Sequence, residues 1–221
     1  MLPEHSLPPA AKHRVGGGAR ASGSTGDGHD REDGAMEGAC AMKWFTSDTH
    51  WGHANILKYD NRPFTTIEEH DEELVRRWNT VVSPGDVVYH LGDVAWHKKA
   101  IDTDILLARL HGTKILITGN HDKGHVEKAK GWAKVTPYLE ISEGGQKIVL
   151  FHYRMVVWNG NHHGSWALHG HSHGSLPVNL QAKTFDVGTM CWSYAPLSLD
   201  EVADEMRNHT FVPVDAHGMP R

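Results

Sequence analysis

The chain has only two cysteines, Cys40 and Cys191, too few for a disulfide framework and in keeping with a reducing cytoplasm. No apolar run approaches the roughly 20 residues a membrane-spanning helix requires, so a membrane partner is not expected. The N-terminal stretch also lacks the apolar core of a secretory signal and the Arg-rich amphipathic helix of a transit peptide. Positive charge is not in excess: 22 Lys and Arg stand against 27 Asp and Glu, for a formal net charge of −5. No Lys/Arg run is present to build the basic groove that an extended nucleic-acid surface demands. What the sequence has in abundance is histidine, 19 of 221 residues. Histidine in such numbers, if clustered, points to metal or acid–base chemistry.

The length suits one domain with tails. Residues 1–41 are Gly-, Ser- and charge-rich without hydrophobic periodicity, and read as a disordered, functionally silent extension. A start of translation at Met42 would leave them outside the protein altogether. From Met42 the texture becomes α/β and continues to residue 208, with 209–221 expected as a loose C-terminal tail. Apolar runs predict buried strands at 43–46, 87–91, 114–118, 147–153, 166–169 and 184–187. Thr65 and Thr66, each three residues before a glutamate, announce a helix whose apolar face is Ile67, Leu74, Val75 and Trp78. Its other face offers Glu72–Arg76 and Glu73–Arg77 pairs. Further helices are predicted over 98–110 and near 123–131, and a last one begins at the Ser198/Glu201 cap.

Five polar clusters fall at or just past the ends of predicted strands: Asp48-Thr-His50, Gly92-Asp93, Gly119-Asn120-His121-Asp122, His152, and Gly170-His171-Ser-His173. Strand ends on one side of a sheet are where α/β proteins build their sites. Singly, most of these have a plainer explanation as turns, caps or strand-end histidines. Only His171 and His173, two apart, suggest an ion grip unaided. As an ordered set they combine hard oxygen with imidazole and no thiolate, which suits Mn, Fe, Zn or Ni rather than a structural zinc–cysteine site.

The ordered pattern D-x-H, GD, GNHD, H, GHxH resembles the calcineurin-like metallophosphoesterase family. The fuller strings SDTHWGHANILKYDNRPF, VYHLGDV, ILITGNHD and GSWALHGHSHG are similar to a small bacterial and phage branch of it. The resemblance runs from about residue 43 to 207. It implies a four-layer α/β/β/α sandwich carrying a dinuclear metal centre, with manganese first and iron, nickel or zinc as alternatives. It assigns Asp48, His50 and His173 to one metal, Asn120, His152 and His171 to the other, and Asp93 to both. His121 is then the proton donor or transition-state stabiliser at the leaving oxygen, oriented by Asp122. Two divalent ions about 3.5–4 Å apart would generate a bridging hydroxide nucleophile at neutral pH. Two divalent cations less the Asp48 and Asp93 carboxylates leave a net positive site, so an acidic protein can still draw in a phosphate.

Arg62 and Arg154 are candidate phosphate clamps, although for Arg62 a surface-loop contact is the stronger reading. Arg154 departs from the resemblance, since many members of the family carry proline there. His53 and His169 are candidates for holding ligand tautomers, whereas His90 and Cys191 read as structural and inert. Trp51, Trp158 and Trp166, with His162 and His163, are candidates for the rim of a pocket. The expected function is hydrolysis of a small phosphodiester or phosphomonoester, such as a nucleotide. The rivals are a nuclease on DNA or RNA ends, a non-catalytic scaffold on the same fold, and a metal-sequestering protein. The intact His121 argues against the scaffold, and its place with Asp122 off the metal shell argues against sequestration. The sequence does not fix the oligomeric state.

Overall fold

The computed structural model describes residues 41–212. The expected N-terminal extension, up to residue 40, and the segment 213–221 lie outside the described residues. The fold is mixed α/β with two sheets. The first is built from β1 (Lys43–Thr46), β2 (Val87–His90), β3 (Thr113–Ile117), β4 (Lys134–Thr136) and β9 (Leu197–Ser198), in the order β4-β3-β2-β1-β9. Only β9 runs antiparallel. The second is β5 (Tyr138–Glu143), β6 (Gln146–Phe151), β7 (Trp166–His169) and β8 (Thr184–Asp186), with a β5/β6 hairpin followed by parallel pairs.

The apolar runs become strands because both faces are covered, so no alternation is needed. Between the sheets, Phe45, Leu91 and Ile117 meet Ile148, Leu150 and Leu168, all fully buried. Each such side chain stabilises the fold by about 1.5–3 kcal/mol. The other face of the first sheet packs Trp44, Val88 and Leu116 against α2 (Ile67–Val81) and α3 (Ala100–Arg109), through Leu74, Trp78, Leu106 and Leu107. The outer face of the second sheet meets Trp158, Met155 and Ala182, which come from loops. Short α1 (Ile56–Tyr59) precedes α2, and α4 (Leu199–Arg207) adds Val202 and Met206 to the core between the sheets. Among the described residues no helix is long and apolar enough to cross a membrane.

The helix starts follow their signals. The Thr66 hydroxyl accepts from the Glu69 amide, and Ser198 with Glu201 closes a reciprocal capping box. Of the two expected pairs, Glu73–Arg77 forms and Glu72–Arg76 does not. Glu73 takes both Arg76 and Arg77, while Glu72 reaches across to Arg109 of α3. The helix expected near 123–131 is a series of turns. Val126 and Ala129 are buried there as a helical face would be, but Gly124 sits at φ +81°, outside helical space. At the start of the expected C-terminal tail His209 is buried. Its Nδ1–H donates to the Ala182 carbonyl at 2.7 Å, so ordered packing continues past residue 208.

Candidate metal centre

Every polar cluster singled out in the sequence lies just beyond the C-terminal end of a strand: Asp48 and His50 after β1, Asp93 after β2, Asn120 and His121 after β3, His152 after β6, and His171 and His173 after β7. Parallel neighbours within each sheet bring their loops to one edge, and the stacking of the sheets joins the two edges. The loops are laced by backbone bonds from Asp48 N to Gly92 O (2.9 Å), His50 N to Asp93 O (3.1 Å) and Gly170 N to His152 O (3.0 Å). Gly92, at φ +96°, permits this closure, because a Cβ there would stand 2.5 Å from the Gly119 nitrogen and 2.6 Å from His152 Nδ1.

Among the described residues eight non-glycine residues have left-handed backbone, and five of them are Asp48, His50, Asp93, His171 and His173. Each such conformation costs of order 1 kcal/mol or more, and such strain collects where side chains must be aimed. The aim here is mutual. The donor atoms of Asp48, His50, Asp93 and His173 all lie within 4.8 Å of one another, as do those of Asp93, His152 and His171. His50 Nε2 and His173 Nε2 face each other at 3.3 Å, and His173 Nε2 is 3.5 Å from Asp48 Oδ1. Asp93 Oδ2 stands 3.8 Å from His50 Nε2, 3.6 Å from His152 Nε2 and 3.9 Å from His121 Nε2. Asn120 Oδ1 lies 3.2 Å from His152 Nε2. One carboxylate oxygen thus faces three imidazole nitrogens across gaps too long for good hydrogen bonds, which leaves room for a cation on its His50 side and on its His152 side. Hard oxygen plus imidazole fits a divalent metal.

The electrostatics divide the histidines. Burial lowers the pKa of His50 to about 2, leaving the imidazole neutral and able to act as a metal ligand. Burial also opposes a charge on His173, but the Asp48 and Asp60 carboxylates outweigh it and push the pKa up to about 10. His152 is raised as well, burial being outweighed by Asp93. Asp93 is in turn held below the usual carboxylate range, because His152 and the His121 amide offset its burial.

What holds the ligands was only partly foreseen. His152 Nδ1–H donates to the Leu91 carbonyl at 2.6 Å, leaving Nε2 free for the site. His173 Nδ1 bonds Asp60 Oδ2 at 2.7 Å. Asp60 receives Arg62 Nε and Nη2 at 3.1 and 3.0 Å, and Arg62 Nη1 meets His70 Nε2 at 2.8 Å. His70 Nδ1 then meets Asp71 Oδ1 at 2.7 Å. Arg62 is therefore neither a phosphate clamp nor a surface contact. It is buried, and it also donates to the Asp48 and Thr49 carbonyls at 2.7 and 2.9 Å. Asp60 was missed, because a lone aspartate in a loop carries no signal of a partner 113 residues away. Asp186, at the end of β8, was missed in the same way. Its carboxylate accepts from Ser172 Oγ, Gly174 N and Gly188 N and so fixes the loop that carries His171 and His173.

Other expectations are corrected. Asp122 does not orient the His121 ring: its carboxylate accepts the amides of Asp93, Val94 and Gly119, each at 2.8 Å, and staples the loop after β2 to the loop after β3. Burial pushes its pKa up to about 6 against the pull of those amides. Arg154 Nη1 donates to the Pro177 carbonyl and lines a separate cavity of about 330 Å³ with Met155, Leu176 and Val212. Trp51 and Trp158 are buried and Trp166 packs on the core between the sheets, so none of them rims the site. His162 and His163 lie on the 3-10 turn Asn161–His163, packed on each other. His169 bonds the Gly170 carbonyl, and the His53 ring stacks on Trp96 rather than holding a ligand tautomer. His90 is structural as expected, buried among tryptophans and bonded to Thr49. Cys191 is exposed, but desolvation of its thiol together with the Asp186, Asp48 and Asp60 carboxylates pushes its pKa up, which fits inertness.

His121 is 40% exposed at the mouth of the cluster. Its ring lies 5.4 Å from that of Trp96, and both border a cleft of about 170 Å³ with Ala95, His97 and Lys98.

Residues 43–203 match the family model described as calcineurin-like phosphoesterase. An uncharacterized protein of Methanocaldococcus jannaschii is 39% identical over 163 residues, covering 71% of this chain and 86% of that protein. The gene 66 protein of Mycobacterium phage L5 is 27% identical over 197 residues, covering 75% of this chain and 94% of that one. A solved structure of a protein of unknown function from Aquifex aeolicus shares the fold with a TM-score of 0.60 and 24% identity, covering 75% of this chain and 99% of that chain. The match spans the strand-end loops from Asp48 to His173 that meet at one edge, and the chain belongs to the calcineurin-like phosphoesterase family.

Proposed function

We propose that the protein hydrolyses a small phosphodiester using two divalent cations, manganese first. Asp48, His50 and His173 would hold one, Asn120, His152 and His171 would hold the other, and Asp93 would serve both. The observation that carries this reading is the position of Asp93 Oδ2, less than 4 Å from the Nε2 atoms of His50 and His152, which belong to the two separate ligand groups. When bound, the cations activate a water as nucleophile and neutralise the phosphate charge. The residues of the chain do the rest. His121 stands outside both ligand groups with its Nε2 toward Asp93, and it gives a proton to the departing alkoxide. Asp122 positions Asp93 and His121 by tying their loops together. A diester is favoured over a monoester dianion, because Arg62 and Arg154 are both spent on backbone carbonyls rather than on the site.

The test uses chelator-stripped protein refilled separately with Mn²⁺, Ni²⁺, Zn²⁺ or Mg²⁺, comparing bis-p-nitrophenyl phosphate with p-nitrophenyl phosphate. Metal-dependent turnover, faster on the diester and lost in Asp93→Asn and His121→Ala, is the expected result. Turnover that survives Asp93→Asn, or none with any metal, overturns the proposal.

A further inference from the structure

The loop after β2 carries an aromatic side chain whose exposure has no structural reason. Trp96 is 49% exposed, although its backbone is fixed: its amide donates to the Trp51 carbonyl at 2.8 Å, beside a bridge between Trp51 and Ala95. One face of the indole is covered by the His53 ring, stacked at 4.6 Å and 15°, and Tyr59 closes on the edge of His53. The remaining surface of the indole borders the 170 Å³ cleft shared with His121. Pockets for whole drug-sized ligands run about 300–1,000 Å³, so this cleft has room for one ring with its phosphate outside, over the metal ligands. Lys98, exposed on the cleft wall, has no carboxylate partner among the described residues, and His97 is turned so that Nδ1 meets Thr103 Oγ1. An indole platform with a cationic donor beside it suits a ring that bears acceptor atoms better than a plain hydrocarbon ring.

We infer that this cleft is a subsite for the leaving group and that the substrate is a phosphodiester whose leaving alcohol is a nucleoside, its base stacked on Trp96 and met by Lys98. The inference rests on His121 being the proton donor, since that places the departing oxygen on the Trp96 side. Trp96 is a specificity residue: it contacts the departing base and leaves the phosphorus chemistry to the metal ligands and His121. The sequence signal was there, for Trp96 in DVAWHKK is followed directly by polar residues and belongs to no apolar face.

The test compares adenosine 5′-methylphosphate with ribose 5-methylphosphate on the manganese-loaded protein, following release of adenosine or ribose. The two leaving oxygens are chemically alike, and only the base differs. Stacking of one base changes binding by about 5- to 150-fold, so kcat/KM is expected to favour the adenosine probe by tenfold or more. That ratio should fall toward one in Trp96→Ala, remain mostly intact in Trp96→Phe, and drop about threefold in Lys98→Ala. A ratio near one in the wild type, or one unmoved by Trp96→Ala, overturns the subsite while leaving the phosphoesterase reading in place. If neither probe is cleaved while bis-p-nitrophenyl phosphate is, the subsite is overturned and the phosphoesterase reading stands; if none of the three is cleaved, that reading fails and the subsite is judged by binding alone. Adenosine should then quench tryptophan fluorescence in the wild type and not in Trp96→Phe, and equal quenching in both overturns it.

Discussion

The Asp48–His50–His173 group, one half of the proposed metal centre, is mostly buried and is backed by a hydrogen-bonded relay running from His173 through Asp60, Arg62 and His70 to Asp71. In the Asn120–His152–His171 half, two of the three side chains are exposed; His152 is anchored from behind by a main-chain carbonyl, and Asn120 Oδ1 accepts a long bond from the Tyr153 hydroxyl. The first half is thus preorganised by its own hydrogen bonds, and the second is expected to be shaped in part by what it binds. Charge follows the same division. The first half holds a carboxylate of its own, with a second behind His173, whereas the second relies on neutral Asn120 and the shared Asp93. Tighter, more selective binding is expected in the first half, and weaker, exchangeable binding in the second.

The largest effect expected is at the residue common to both. Asp93→Asn should lower hydrolysis by about 10³-fold or more and weaken binding in both halves, because its carboxylate faces ligands of each. Steady-state kinetics with a metal titration checks this, and loss confined to one half would break the comparison. Next, His121→Ala should cost about 10²–10⁴-fold in kcat with both cations retained, measured by turnover and metal content side by side. Asp60→Asn sharpens the division. It should weaken cation binding in the buried half by about 10–100-fold and leave the exposed half alone, whereas an equal loss in both halves would remove the distinction drawn from the relay. Arg154→Ala should change kcat/KM by less than about twofold, since its guanidinium is spent on the Pro177 carbonyl.

The halves also differ in proton linkage. In the metal-free protein His173 keeps its proton up to about 10, against 6.5 unperturbed, once its two carboxylate partners have outweighed burial. The raised value contributes stability that is complete below pH 6.5 and is lost as pH rises through about 10. A cation entering the buried half must expel that proton, so its affinity should increase with pH over this range. Calorimetry at pH 7 in buffers of differing ionisation enthalpy should show about one proton released by His173, and a smaller release in Asp60→Asn. Release unchanged by that substitution would contradict the assignment.

How much of this was legible follows from how local each signal is. Six strands and three helices were readable because their residues are apolar runs or capped amphipathic stretches. Strands β4, β5 and β9 were missed because Lys134–Thr136 and Tyr138–Glu143 are half-exposed and mostly polar, and Leu197–Ser198 is two residues long. Val126 and Ala129 mimicked a helix because burial at that spacing needs only a compact turn. The ligand side chains were readable as a pattern, and the structure brings them together. The groups behind them were not, since Asp60, Asp186, the Leu91 carbonyl and the Asp122 staple act through contacts that only the folded chain creates. Arg62 was misjudged for the same reason, a buried guanidinium on two carbonyls being indistinguishable in sequence from a phosphate clamp.

The division between the halves depends on the proposed pair of unequal cation sites sharing Asp93. Its most direct test is calorimetric titration of chelator-stripped protein with Mn²⁺, for the wild type, Asp60→Asn and Asp93→Asn. Two binding events of different affinity are expected in the wild type, with the tighter one alone weakened in Asp60→Asn and both weakened in Asp93→Asn. A single event in the wild type, or an Asp93→Asn profile matching it, would contradict the account.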